Sequence, residues 1–453
     1  MTKSVATQDS RLLSHDHKMN SAELKDKLIA DFYANEARIN GEGKTAFHQT
    51  RKAALQSFEH LGFPTIKHEE WKYSNVKELI KQQFEFGAKT DFGQNEVDEL
   101  SIPDLEGNIL YFVNGVYSPE LSTLISPKDS FLIMSFGEAI KNSPALLEKH
   151  FASYAKYDSE GFIALNTAFA ADGVVIEVPA NKVVEEPIIL RFISDSRLQN
   201  AGSQPRNLIV MGKNAEAKVT ESFRTIGEFA SFTNIVTEIV LDENANLQYY
   251  KVQNDSDKSY HIGTTQVSQN RNSHFYGVTV TLDGGFVRNN LNIVLGEHCE
   301  AFMYGLYFPN GNQHIDNHTL ADHAMPNSYS NELYKGILKD KATGVFNGKI
   351  FVREDAQKTN AYQSCRNVVL SDEASMNTKP QLEIYADDVK CSHGTTTGKL
   401  NEEALFYMRS RGIPKAEAMT LLMYAFCEDV ISQIKIEPIR NYLSGLIAKK
   451  LAE

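Results

Sequence analysis

The sequence predicts a mainly β fold, a β-solenoid core between two helical ends, and three observations predict it. From about Gly161 to Gly398 short β-branched runs follow one another, among them Val174–Val178, Ile188–Phe192, Ile235–Leu241 and Leu291–Leu295. A five-residue pattern recurs along the same stretch: large apolar, any, charged, any, small. It reads MGKNA (211–215), LDENA (241–245), LGEHC (295–299), LKDKA (338–342), VREDA (352–356), LSDEA (370–374) and YADDV (385–389), at intervals of 30, 54, 43, 14, 18 and 15 residues. Apolar residues at helical spacing are confined to the regions before and after it. Each copy reads as a turn that feeds a short strand. The shorter intervals fit one or two sides of a coil, and the longer ones fit whole coils with loops. The repeat is degenerate, and by itself it fits an irregular β-sandwich with similar turns equally well.

Taken in order, residues 1–20 are polar and read as disordered, and residues 21–150 read as an N-terminal helical region. Asn20 with Glu23 is a capping box, followed by Leu24, Leu28, Ile29 and Phe32 on one helical face. Ala46 to Leu61 forms a second helix that Gly62 and Pro64 stop. Trp71, the single tryptophan, reads as a core anchor. Gly43-Lys44-Thr45 imitates the end of a phosphate-binding loop, but Arg38 stands where that loop needs its first glycine, and a helix-like segment precedes it. Nucleotide chemistry is therefore assigned to a partner. Residues 151–398 form the β core and 399–453 a C-terminal helical region, with helices over Asn401–Ser410, Lys415–Ile434 and Pro438–Leu451. On the middle one Ala418, Leu421, Leu422, Ala425 and Phe426 share a broad face.

With 453 residues, 42% of them hydrophobic and 23% charged, the chain can bury a large core. A net charge of −12 excludes nonspecific binding to nucleic acid or an anionic membrane as its main task. No apolar run reaches the about 18 residues a membrane helix needs, and the N-terminus has no apolar core of a secretory signal. Four cysteines, Cys299, Cys365, Cys391 and Cys427, with no C-x-x-C spacing, fit a reducing cytoplasm rather than a disulfide framework. Four such scattered thiols make no compact four-cysteine cluster motif.

Two constellations carry chemistry. In the strand-like run before Gly394, Cys391 and His393 stand two residues apart, so both side chains lie on one face and can share a soft metal or a sulfur species. An isolated C-x-H is a weak signal, and on spacing alone the structural reading leads. The second is His314, Asp316 and His318, followed by His323, which would suit a zinc or iron site. Its plainer reading is a polar ladder between coils, each imidazole hydrogen-bonded to a neighbour. A metalloenzyme built on these four residues, or a solenoid carbohydrate-active enzyme using Asp387 and Asp388, are the alternatives to a non-enzymatic role. Cys299, Cys365 and Cys427 read as small buried hydrophobes.

The whole segment LEIYADDVKCSHGTTTG (382–398), followed by LFYMRSRGI (405–413), is more specific than its C-x-H. It resembles the SufB/SufD family of iron–sulfur cluster assembly scaffolds, and the C-S-H-G order resembles the SufD branch. Thr395 departs from the alanine often found there. GFIALNTAFAADGVVIEVP (161–179), AQKTNAYQSCRNVVLS (356–371), the H-x-x-P-N of His323–Asn327 and the E-x-W-K-Y around Trp71 extend the resemblance over most of the chain. It implies a right-handed parallel β-helix and a non-catalytic scaffold subunit of the SUF system. It implies pairing with a SufB-type chain through the end of the β-helix, where His393 first and Cys391 second would meet transient iron and the nascent cluster. It further implies a SufC-type ABC ATPase held by the C-terminal helices, with Leu405, Phe406, Met408, Arg409, Leu421, Leu422, Ala425 and Phe426 at the contact. No cofactor would stay bound to the chain alone; a flavin in the complex and a homodimer of the isolated chain stay open.

Overall fold

The computed structural model describes residues 20–40, 45–127 and 129–452. Most of the segment expected to be disordered, and Gly43 and Lys44 of the false phosphate loop, lie outside them. The capping box forms as expected: the Asn20 N–H donates to Glu23 Oε2 at 2.9 Å, and the Glu23 N–H donates to Asn20 Oδ1 at 3.1 Å. The helix Ser21–Asn40 follows. The helix Ala46–Leu61 is capped by the Thr45 hydroxyl and ends at Gly62, whose φ of 62° suits glycine. Trp71 is buried against Phe162, and the Arg288 guanidinium lies 4.0 Å over its ring.

From Val174 the chain coils as a β-solenoid of about seven turns. The first sheet takes Val174–Val178, Arg206–Met211, Ser231–Leu241, Ser259–Gln269, Phe286–Leu295, His314–His323, Thr343–Val352 and Ser375–Ile384, all parallel. The second takes Ile188–Asp195, Glu216–Ile226, Asn246–Asn254, His274–Asp283, Glu300–Tyr307, Tyr329–Leu338, Asn360–Val369 and Lys390–Gly398, also parallel. Strands about 4.8 Å apart put like positions of successive coils into columns. One inward column of the first sheet is Ile209, Ile239, Val267, Ile293, Ala321 and Ile350, each almost fully buried. Such columns replace a layered core, so each coil is stable only against its neighbours.

All seven copies of the sequence pattern are corner turns between the two sheets. Their small residues Ala215, Ala245, Cys299, Ala342 and Ala356 are fully buried. Asn214 and Asn244 have φ of 56° and 59°, a left-handed conformation that asparagine tolerates. Their side chains stack between coils, Asn244 Nδ2 donating to Asn214 Oδ1 at 2.9 Å. Of the corners that lead from the first sheet to the second beyond Met211, two escape the pattern because a polar residue fills the apolar position. At one, Gln269 donates to the Ser273 carbonyl at 3.0 Å and the Glu300 carbonyl at 3.1 Å. At the other, buried His323 bonds the Ser328 hydroxyl at 2.6 Å and the Ser330 hydroxyl at 2.8 Å.

The region expected to be helical over 21–150 also contains strands. Asn108–Val113 extends the second sheet beside Ile188–Asp195, with Val116–Thr123 antiparallel on its outer side. Leu132–Ser135 pairs antiparallel with Val174–Val178 in the first sheet. The turn between the first two is Asn114-Gly115, both at positive φ, the strongest short hairpin signal a sequence offers. Conversely, Gly161–Phe169, read as part of the β texture, is a helix buried along nearly its whole length. A helix buried on all sides lacks the alternation that marks an amphipathic one.

The N-terminal strands close one end of the solenoid. At the other end the strands Ser375–Ile384 and Lys390–Gly398 are the last of their sheets, and among the described residues no strand pairs with their outer edges. The helices Lys415–Ile431 and Glu437–Ala452 turn back along the outer face of the second sheet instead, and Glu402–Ser410 packs against Lys415–Ile431. There Lys335 Nζ donates to the Phe426 carbonyl at 2.9 Å, and the Lys435 N–H donates to the Tyr250 hydroxyl at 3.1 Å. No helix among the described residues is long and apolar enough to cross a membrane.

Candidate functional site

Cys391 and His393 lie on the last strand of the second sheet, Lys390–Gly398, at the open end. Cys391 completes an inward column through Ala217, Leu247, Phe275, Ala301, Ser330 and Ala361. It is half-buried against Leu382, Val389 and Ala386. Two residues on, His393 takes the same face and is exposed. The expected juxtaposition of thiol and imidazole is therefore present, at the mouth of the solenoid interior. Burial pushes the Cys391 thiol up, so a proton must leave before its sulfur binds a metal or attacks a persulfide. The other three thiols are buried; burial raises Cys365 and Cys427 to about 12, and Cys299 upward as well. Among the four, Cys391 alone is open to a reaction partner.

The interior behind His393 is polar, a feature that no sequence pattern singles out. Its column continues through Gln363 to Glu332. Gln363 Nε2 donates to Glu332 Oε2 at 2.9 Å, and both residues are buried. Burial raises the Glu332 carboxyl to about 7, against the opposing effect of the nearby Thr319 hydroxyl and the Gln363 hydrogen bond.

His314, Asp316 and His318 share the outer face of the strand His314–His323, whereas His323 points inward and serves the corner described above. His314 stacks on Phe286 with ring centroids 5.1 Å apart and bonds the Ser74 hydroxyl at 2.8 Å. Asp316 is paired with Arg288 at 2.8 Å and His318 at 3.0 Å. Burial pushes its carboxyl up, but the His318 and Arg288 charges outweigh burial and hold it well below the carboxylate range. His318 in turn lies 3.4 Å from Glu70, which donor contacts lower to about 2, and Glu70 Oε2 accepts from Asn347 at 3.1 Å. These groups fasten the Glu69–Trp71 turn to the first sheet. Among the described residues no group of three or more His, Cys, Asp or Glu side chains is placed to hold a metal ion. The four-residue metal site is corrected accordingly: alternation sends His323 to the opposite face, and Arg288 occupies Asp316. Asp387 and Asp388 are exposed on a corner turn, where the Asp388 N–H donates to Gln357 Oε1 at 2.9 Å and its carbonyl accepts from Lys358.

Of the residues expected at a docking surface, Phe406 is 72% exposed and Leu421 46% exposed, so both are free to meet another protein. Arg409 and Ala425 are also exposed, and Leu405, Met408 and Leu422 are half-buried. Phe426 packs inward, 4.3 Å from Lys335 Nζ, because the helix turns Met423, Cys427 and Val430 to the sheet and Phe426 falls on their flank.

Comparison with known proteins matches most of the chain. The SUF system FeS cluster assembly SufBD core domain matches residues 192–426, and the SufBD protein N-terminal region matches 22–190. An iron–sulfur cluster assembly SufBD family protein of Synechocystis is 32% identical, over 95% of this chain and 96% of its own length. The iron–sulfur cluster assembly protein SufD of Escherichia coli is 30% identical over 88% and 91%, and that of Bacillus subtilis 26% identical over 88% and 93%. With two family models that together cover residues 22–426 and a relative 32% identical over nearly its whole length, the chain belongs to the SufBD family of iron–sulfur cluster assembly proteins.

Proposed function

We propose that this chain is a SufD-type scaffold subunit of the SUF machinery, non-catalytic by itself, that joins a SufB-type chain through its open solenoid end. The observation that carries the reading is the pair of unpaired edge strands, Ser375–Ile384 and Lys390–Gly398, with Cys391 and His393 between them and solvent. Free strand edges are templates for pairing with another chain. Two soft ligands at such an edge make half of a coordination set, and a second chain supplies the rest. Iron and sulfur are the cargo: His393 offers a ring nitrogen to iron, and Cys391, once deprotonated, offers a sulfur. The exposed Phe406 and Leu421 support docking of a SufC-type ABC ATPase on the C-terminal helices. Because the last helices grip Lys335 and Tyr250 on the outer face of the second sheet, nucleotide-driven movement of the ATPase would pull on the strands that lead to His393.

The test is affinity capture of the full chain from its native cell extract, followed by cluster reconstitution with the captured proteins. Near-stoichiometric recovery of a SufB-like chain and an ABC-type ATPase is expected. His393→Ala is expected to abolish cluster formation in that complex while leaving this chain folded. Capture of the chain alone, or an undiminished cluster yield, would overturn the reading.

A further inference from the structure

The polar column behind His393 has no role in the packing of an aliphatic solenoid. Glu332, Gln363 and His393 occupy successive coils of one inward column, and each coil brings the next about 4.8 Å closer to the open end. Gln363 spends its amide N–H on Glu332, while Gln363 Oε1 and Glu332 Oε1 are both buried without a hydrogen-bond partner. An orphaned buried acceptor is costly unless it serves something. Gly348 on the facing strand leaves the space that Gln363 fills; a Cβ there would collide with the Gln363 amide. The position is therefore shaped around that glutamine, and the unpaired oxygen lies one coil behind an exposed imidazole.

We propose that Glu332 and Gln363 are positioning residues for His393, forming a relay in which the Gln363 amide fixes which ring nitrogen of His393 carries the proton. This inference rests on the reading of His393 as a ligand. With Glu332 ionised, Gln363 donates inward and presents Oε1 outward. Oε1 accepts the N–H of one His393 nitrogen, and the lone pair of the other nitrogen is left aimed out of the solenoid. With Glu332 protonated, its O–H donates to Gln363 Oε1, the amide turns over, and the Gln363 N–H takes up a ring lone pair. One proton on Glu332 thus exchanges the donor and acceptor faces shown to His393. Burial places the Glu332 titration near neutral pH. The titratable groups facing Glu332 are Tyr334 on its own strand and Cys365 on the next, both kept neutral by burial, while Thr319 faces it from the first sheet. None of them supplies a counter-charge.

The experiment is nitrogen NMR of the full chain labelled in the histidine rings, with the His393 signals assigned by difference against His393→Ala. At pH 8 the wild type is expected to hold one His393 tautomer. Gln363→Leu is expected to shift the tautomer ratio about fivefold, the equivalent of one net hydrogen bond, toward that of exposed His60. Glu332→Gln, which cannot ionise, removes the pH dependence of the ratio between pH 7 and 9. Gly348→Ala, which unseats Gln363 without deleting it, shifts the ratio in the same direction and keeps the test alive if Gln363→Leu fails to fold. Identical His393 signals in the wild type and these variants overturn the relay. An undiminished cluster yield in His393→Ala overturns the ligand reading instead, and the tautomer measurement does not depend on it.

Discussion

Glu332→Gln tests the cost of the buried carboxyl directly. In the folded chain this group titrates near 7 rather than at its ordinary 4.5, because burial disfavours its charge. A folded-state value above the unfolded one means that the folded chain binds the proton more tightly. The group therefore costs nothing well below pH 4.5, and its penalty grows until pH passes the folded value. At pH 8.5 the shift amounts to roughly 3 kcal/mol of lost stability, and at pH 5.5 to roughly 1. Between those two values the wild type should lose about 2 kcal/mol that a neutral glutamine does not lose. Every other titrating group is common to both proteins and cancels in the difference. Urea unfolding followed by far-ultraviolet circular dichroism, at pH 5.5 and 8.5, measures it. The variant should be the less pH-sensitive protein, its advantage appearing on the alkaline side. Parallel pH dependence of the two proteins would show that Glu332 is ionised without penalty, and the argument from its burial would fall.

Three further outcomes are expected. Arg206→Met should destabilise by about 3–5 kcal/mol in denaturant unfolding, because it strands a fully buried Glu238, now paired at 2.6 Å, that also anchors the backbone of Ala152, Tyr154 and Ala155. Gly305→Ala should cost about 1–3 kcal/mol, since its Cβ would collide with the buried Tyr334 ring; Tyr334→Leu in the same chain should recover part of the loss. Phe406→Asp should leave thermal unfolding unchanged, as surface substitutions do, and should abolish co-purification of the ATPase.

What the sequence showed and what it hid follow from the physics of a solenoid. Helix ends were readable because Asn20, Glu23 and Gly62 act locally. Corners were readable where a buried aliphatic residue meets a buried small one, and were lost at Gln269 and His323, whose polarity is neutralised by serine and carbonyl partners that only the coil brings near. Strand alternation puts Cys391 and His393 on one face, and the longer segment LEIYADDVKCSHGTTTG around them made the pair stand out. Glu332 and Gln363 stayed hidden because YSNELYKGIL and NAYQSCRNVV alternate polar and apolar residues too weakly to say which face is inward. Their relation to His393 passes through two coil registers, not through chain neighbours.

A solenoid closed at its start and open at its finish has a direction. Subunits with two free ends add one after another and grow into fibres. Here the antiparallel strands Val116–Thr123 and Leu132–Ser135 end the parallel ladder at the beginning, so a coil that continues it in parallel can be added only at the terminal pair of edges. Any pairing through that end, with a second copy or with a related chain, consumes both open faces at once. Growth by that route would halt at two, with Cys391 and His393 at the seam instead of repeated along a filament.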